Sequence, residues 1–246
     1  MKATLSRGAV SALVVAALGF TAAGCGGKGD SAEGKERPSP SKAAAAQADK
    51  PKKAAAGALS AAQLAEVIVG KGDVAGYKFE AKAKDEILNL NMPAKPEACQ
   101  AVADMFFFGT QPEAKASLGR NITPAGKDST DANYTSLVLL SHEQADAEKV
   151  IGDLRTSVEK CGGKYEHLEM KYDGVKALPA PEVGDEAVSY RVSGDFDGDK
   201  MPMFVTVVRS GSTLVAASTL NYLEPEKTEV PAEVIEAQLA KLKKGA

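Results

Sequence analysis

Met203-Phe-Val-Thr-Val-Val-Arg209, Ser210-Gly-Ser212 and Thr213-Leu-Val-Ala-Ala-Ser-Thr-Leu220 read in succession as strand, turn and strand. Both arms are rich in β-branched residues, and a short glycine-containing link joins them, the pattern of a hairpin. Working outward, Ala187 to Val192 and Tyr165 to Met170 are predicted strands. Asp195-Phe-Asp-Gly-Asp199 reads as a hairpin turn between Tyr190–Ser193 and Met203–Val207. Further upstream, Tyr77 to Ala83 alternates polar and apolar residues, and Ala114 to Asn121 and Tyr134 to Leu140 are strand candidates.

Helical signals flank these strands. Ser60-Ala-Ala-Gln63 is a capping-box pattern, followed by Leu64, Val67 and Ile68 on one face. Pro96 to Met105 predicts a helix with proline in its first turn. Ser141-His-Glu-Gln144 reads as a second capping box. The helix after it places Val150, Ile151, Leu154, Val158 and Cys161 on one stripe, with Gly162-Gly163 as a left-handed stop. Pro231 opens a last helix with Val234, Ile235, Leu239 and Leu242 turned inward. Clustered hairpins with flanking helices predict an α+β domain, its sheet largely antiparallel with helices packed on it, rather than a doubly wound parallel sheet.

The N-terminus carries a different message. Lys2 and Arg7 make its start positive, Gly8 to Phe20 is a short apolar run, and Ala22-Ala-Gly24 precedes Cys25. The run is too short to span a bilayer, which takes about 20 residues, and reads as a removable signal. The pattern resembles the bacterial lipobox, with Ala22 where leucine is commonest. That resemblance makes Cys25 the lipidated first residue of the mature protein. The plainer alternative is an ordinary secretory signal with an incidental cysteine. Gly26 to Gly57 has no Val, Ile, Leu, Met or aromatic residue. Such a segment has nothing to offset the entropy of ordering and reads as a flexible tether, its ends roughly 30 Å apart. The expected divisions are a signal peptide over 1–24, lipidated Cys25 and tether over 25–57, and a single binding domain over 58–246.

Charge follows the same division. The net charge is −3. The signal contributes two positive charges, and the tether has seven basic against four acidic side chains, which leaves −8 on 58–246. An acidic domain argues against nucleic acid as a partner. Beyond Cys25 the chain holds Cys99 and Cys161. Both sit in predicted helices, in a compartment where disulfides persist, so one bridge between them is expected. A metal pair would want further ligands, and a redox couple the Cys-x-x-Cys spacing.

Chemistry is hard to find. His142 falls in the second capping box and reads as a solvated first-turn residue. His167 alternates with Tyr165 and Glu169 and reads as a surface position on a strand. Ser157-Val-Glu-Lys160 matches Ser-x-x-Lys, but its companion motifs are missing. Asp195 to Asp199 lacks the glycine and glutamate spacing of a calcium loop. No catalytic residue, metal site or cofactor is assigned, and the expected protein is not an enzyme. Met105-Phe-Phe-Phe-Gly109 is the unusual apolar cluster. Three consecutive rings cannot all face one way, so Phe106, Phe107 and Phe108 are the candidate ligand-binding residues.

The order of these features resembles the PknH-like extracellular sensor domain of actinobacteria. The resemblance runs from Ser60-Ala-Ala-Gln-Leu64 through Pro96-Glu-Ala-Cys99, Ser141-His-Glu-Gln-Ala145, Lys160-Cys-Gly-Gly163 and Val183-Gly-Asp-Glu-Ala-Val188 to the terminal hairpin. It implies an α+β domain with a cleft between sheet and helices that binds an extracellular ligand. The kinase-linked member has two disulfides, where this chain has room for one. The expected function is that of a lipoprotein anchored to the extracytoplasmic face of the cell membrane, with a non-catalytic sensor or ligand-binding domain for a small ligand or an envelope protein. A carrier of lipid or other hydrophobic envelope molecules is the alternative, and a cell-wall hydrolase the second.

Overall fold

The computed structural model describes residues 57–245, apart from 91, 127–131, 197–198 and 226–227. The expected signal peptide, Cys25 and the expected tether before Gly57 lie outside the described residues. The predicted strands form one eight-stranded sheet, in which every neighbouring pair is antiparallel.

Strands β1 (Tyr77–Ala81), β2 (Ala116–Pro124) and β3 (Asn133–Ser141) form a meander from one edge. Helix α3 (Gln144–Lys160) then carries the chain to the opposite edge. There β4 (Tyr165–His167) begins a second meander through β5 (Met170–Leu178), β6 (Glu186–Phe196) and β7 (Asp199–Ser210) to β8 (Thr213–Asn221). Strand β8 returns to the middle and pairs with β3 from Asn133↔Asn221 to Ser141↔Thr213. The order is β1-β2-β3-β8-β7-β6-β5-β4. Lys95 extends the β4 edge, exchanging two main-chain hydrogen bonds of 2.9 Å with Glu166.

Helices cover both faces. Helix α2 (Gln100–Phe106) and α3 pack on one, α1 (Ala61–Val67) and α4 (Ala232–Gly245) on the other. Period-two alternation sends Val138, Leu140, Leu214 and Ala216 towards α2 and α3, and Leu137, Leu139, Val215 and Ala217 towards α1 and α4. The central strands therefore need apolar side chains at successive positions, and Leu137 to Leu140 and Leu214 to Ala217 supply them.

Local signals hold at several ends. The Ser60 box forms, with Gln63 N–H donating to Ser60 Oγ at 3.3 Å and Ser60 N–H to Gln63 Oε1 at 2.9 Å. Gly211 supplies a φ of 61° in the β7–β8 turn. Every residue of the predicted α3 and α4 stripes is buried.

Five expectations are corrected. Ser141 does not cap α3: it is the last residue of β3, paired with Thr213, and the helix begins after Glu143 with no side-chain cap. His142 is consequently not solvated. Its N–H donates to the Ser212 carbonyl at 2.9 Å and its ring is fully buried, which pushes its pKa down. The stretch from Tyr165 to Met170 is not one strand but a tight hairpin, because Leu168 and Glu169 take φ values of 52° and 64°. Two left-handed residues make the turn that suits a two-residue hairpin, though neither is the usual Asn or Gly. His167 is thereby buried instead of exposed. Finally, neither Gly162 nor Gly163 takes a positive φ. Helix α3 ends where Cys161 is held.

Candidate functional site

Cys99, at the start of α2, and Cys161, at the end of α3, are joined by a disulfide with their Cα atoms 4.9 Å apart. Both are buried. Closing a loop of 62 residues in the unfolded chain is worth about 4 kcal/mol by chain entropy. Ser157 adds a second fastening one turn back along α3. Its hydroxyl donates to the Ala98 carbonyl at 2.7 Å and accepts from Val102 N–H at 3.4 Å. The serine of the Ser-x-x-Lys match is therefore occupied by main-chain groups of α2's entry.

A cleft of about 1050 Å³ runs along α2 and α3. The segment from Met92 to Ala98 and the residues Gly109 to Pro112 complete its lining. Ala101, Met105, Val150 and Leu154 form an aliphatic wall, and Glu97, Asp104, Lys149, Asp153 and Lys160 add charge. Lys149 and Asp153 pair with each other along α3.

Gln100 organises the near wall. Its Nε2 donates to the Met92 carbonyl at 2.9 Å and to Asp104 Oδ1 at 2.8 Å, while its Oε1 accepts from Ala94 N–H at 2.8 Å. One side chain thus ties the 92–94 segment to α2. Asp104 is only 6% exposed. Burial pushes its carboxyl above the usual carboxylate range, against the opposing pull of Gln100 and His167. Its main-chain carbonyl accepts from Gly109 N–H at 2.9 Å, which folds the chain back and sets Thr110 at the end of α2. A Cβ on Gly109 would stand 3.0 Å from the Leu88 carbonyl oxygen, so the fold-back fits glycine. Thr110 is 3% exposed and, among the described residues, its hydroxyl has no hydrogen-bond partner.

The three phenylalanines lie beside this cleft without lining it. The Phe106 ring meets Phe107 edge-on at 4.9 Å and Tyr172 edge-on at 5.2 Å. Phe107 lies 6.0 Å from the His167 ring. Phe108 takes a φ of 61° and sits under Lys82, whose Nζ is 5.8 Å from the ring centroid. The lining residues are those on either side, Asp104 and Met105 before and Gly109 and Thr110 after. Sequence reasoning passed over Gln100 and Asp104, and met Ser157 only within the Ser-x-x-Lys match. The one available signal was the spacing of Gln100 and Asp104, four apart and so on one helical face.

Val183-Gly-Asp-Glu186, part of the family resemblance, has a structural role. Gly184 takes a φ of 70° against β7. Asp185 accepts from Gly211 N–H at 2.7 Å and from Arg209 Nη1 at 3.1 Å. Glu186 pairs with both Arg155 and Arg209 at 2.9 Å, fastening α3 to the sheet.

No protein-family model matches the chain, and no curated protein matches it. Similar solved structures include the extracellular domain of PknH from Mycobacterium tuberculosis. It has 8% identity and a TM-score of 0.47 over 76% of this chain and 97% of that one. A second is an uncharacterized protein of Mycobacterium smegmatis, the Rv0999 ortholog, at 13% identity and a TM-score of 0.35 over 75% of this chain and 92% of that one. A third is LpqN of Mycobacterium tuberculosis, described as involved in cell envelope biogenesis, at 14% identity and a TM-score of 0.25 over 69% and 82%. The sensor domain named from the sequence pattern is thus among the similar structures. At these identities and TM-scores the likeness says nothing about ligands or activity.

Proposed function

We propose that this chain is an extracytoplasmic lipoprotein, anchored through Cys25, whose folded domain binds a ligand in the α2–α3 cleft without transforming it. One observation carries the reading: the two walls of a cleft of about 1050 Å³ are cross-linked at one end by Cys99–Cys161. A volume of that size suits a small molecule or a peptide segment. A buried disulfide suits an oxidising compartment, in agreement with the export pattern ending at Cys25. Ser157, the serine of the Ser-x-x-Lys match, is held by main-chain groups and is not poised as a nucleophile.

The test is native mass spectrometry of the full-length protein isolated from its own envelope, beside an Ala101→Trp variant that fills the cleft. A bound mass present in the first and lost in the second supports the reading. A bound mass that survives the substitution refutes the cleft as its site. The carrier alternative is favoured by the cleft's volume alone, and a lipid as the bound mass would select it. Turnover of a wall polymer, abolished by substituting Glu97, Asp104 or Asp153, would overturn the non-catalytic reading.

A further inference from the structure

Asp104 is expensive where it stands. A buried carboxylate needs hydrogen bonds or a cation to offset lost hydration. Asp104 has one such bond, from Gln100 Nε2 at 2.8 Å; the buried His167 ring exerts a coulombic pull on it, and no ion pair to Asp104 forms among the described residues. It also lies in the last turn of α2, at the end of the helix that disfavours negative charge. Thr110, brought back by the Gly109–Asp104 main-chain bond, lies in the same wall, but its hydroxyl oxygen is closed to solvent. Asp104 Oδ1 steadies Gln100, which leaves Oδ2 for a ligand.

From this weakly compensated carboxylate, and resting on the cleft's being the ligand site, we infer that the cleft takes a primary ammonium group on an aliphatic stem, seated on the free oxygen of the Asp104 carboxylate. The lining discriminates among cations. It contains no aromatic ring, so a methylated ammonium would find no cation–π cage and a sugar no stacking face. Asp104 Oδ1 is already held by Gln100, which disfavours the two-pronged approach of a guanidinium. A compact ammonium with three rotatable donors needs only the remaining lone pairs. Ala101, Met105, Val150 and Leu154 offer its methylene stem an apolar path. Charge agrees: Lys149 is neutralised by Asp153, and Glu97 stands opposite Lys160 in the tally of the lining, so Asp104 sets the balance. The acidic domain favours the approach of a cation.

The test compares two probes that share a four-carbon side chain and differ by the terminal ammonium, Nα-acetyl-lysine N-methylamide and Nα-acetyl-norleucine N-methylamide. Each is titrated by methyl NMR into the detergent-solubilised full-length protein labelled at Ala, Val and Leu. The lysine probe should shift the Ala101, Val150 and Leu154 methyls with a Kd of about 1 mM. The norleucine probe should bind about tenfold more weakly, the ratio expected for one charged hydrogen bond. Asp104→Asn should weaken the lysine probe about tenfold and leave norleucine unchanged. Methyl signals remote from the cleft report whether the variant keeps its fold. Equal binding of the two probes, or indifference to Asp104→Asn, would overturn the ammonium assignment while leaving the cleft a ligand site. No cleft shift with either probe also overturns it, and the reading of the cleft then rests on the envelope-isolated mass and its loss in Ala101→Trp.

Discussion

Replacing Gly184 by alanine tests why Val183-Gly-Asp-Glu186 is built as it is. Two separate costs arise. The residue has a φ of 70°, where a side chain costs about 1–2 kcal/mol. An added Cβ would also lie 2.4 Å from Val208 Cγ1 and 2.6 Å from the Arg209 carbonyl oxygen. Neither neighbour can yield cheaply. Val208 is β-branched and fully buried between the sheet and α1 and α4. The Arg209 carbonyl accepts from Asp185 N–H at 2.8 Å, so moving it breaks a main-chain bond. Overpacking of this kind costs about 1–3 kcal/mol, which brings the total to about 3 kcal/mol or more. Gly211 is the control, with a φ of 61° and no atom within 4 Å of the built Cβ. Its alanine variant bears only the conformational cost, about 1 kcal/mol. Urea unfolding should show Gly184→Ala losing roughly three times as much stability as Gly211→Ala, with unchanged m-values. In a thermal melt the first corresponds to a fall of about 6–12 °C. Equal losses in the two variants would refute the steric account and reduce both glycines to turn formers.

Three further outcomes are expected. Cys99→Ala with Cys161→Ala should lower stability by about 4 kcal/mol in denaturant, and mass mapping under non-reducing conditions should find the two cysteines linked in the parent; two free thiols there would remove the disulfide. Asp104 has a raised pKa in the folded state, so the folded protein binds its proton more tightly than the unfolded chain. Its destabilising effect is absent below the unfolded value near 3.8, grows as pH rises through the folded value and is complete above it. Asp104→Asn should accordingly raise the urea midpoint at pH 7 and not at pH 3.5; an equal rise at both would show that charge is not the cause. Cys25→Ser should abolish incorporation of a palmitate analogue and release the protein from membranes, and a labelled variant would disprove lipidation at that residue.

Legibility varied with how local each signal was. The Ser60 box, the α3 and α4 stripes and the β7–β8 hairpin depend on residues within a turn or a strand of one another, and they stand as read. The Ser141 box failed because the same residues had a stronger distant claim on them. The β3–β8 ladder runs on to Ser141↔Thr213 and takes the serine into the sheet. His142 and His167 were placed outside because polarity was their only local cue, while burial is decided by what packs over them. The cleft was less legible still. Its lining comes from the 92–98 segment, α2, the 109–112 segment and α3, and no motif spans them.

By itself the sequence determined the α+β class, the antiparallel pairing of its last strands and the presence of two cysteines able to cross-link its helices. These follow from period, turn chemistry and composition, which act along the chain. Only the tertiary structure decided which face each helix covers, that β3 and β8 meet at the centre of the sheet, and that Asp104 and Thr110 share a buried wall. Those facts depend on burial and on contacts between distant segments, where the free energy of excluding water from both faces of the sheet at once outweighs any local preference.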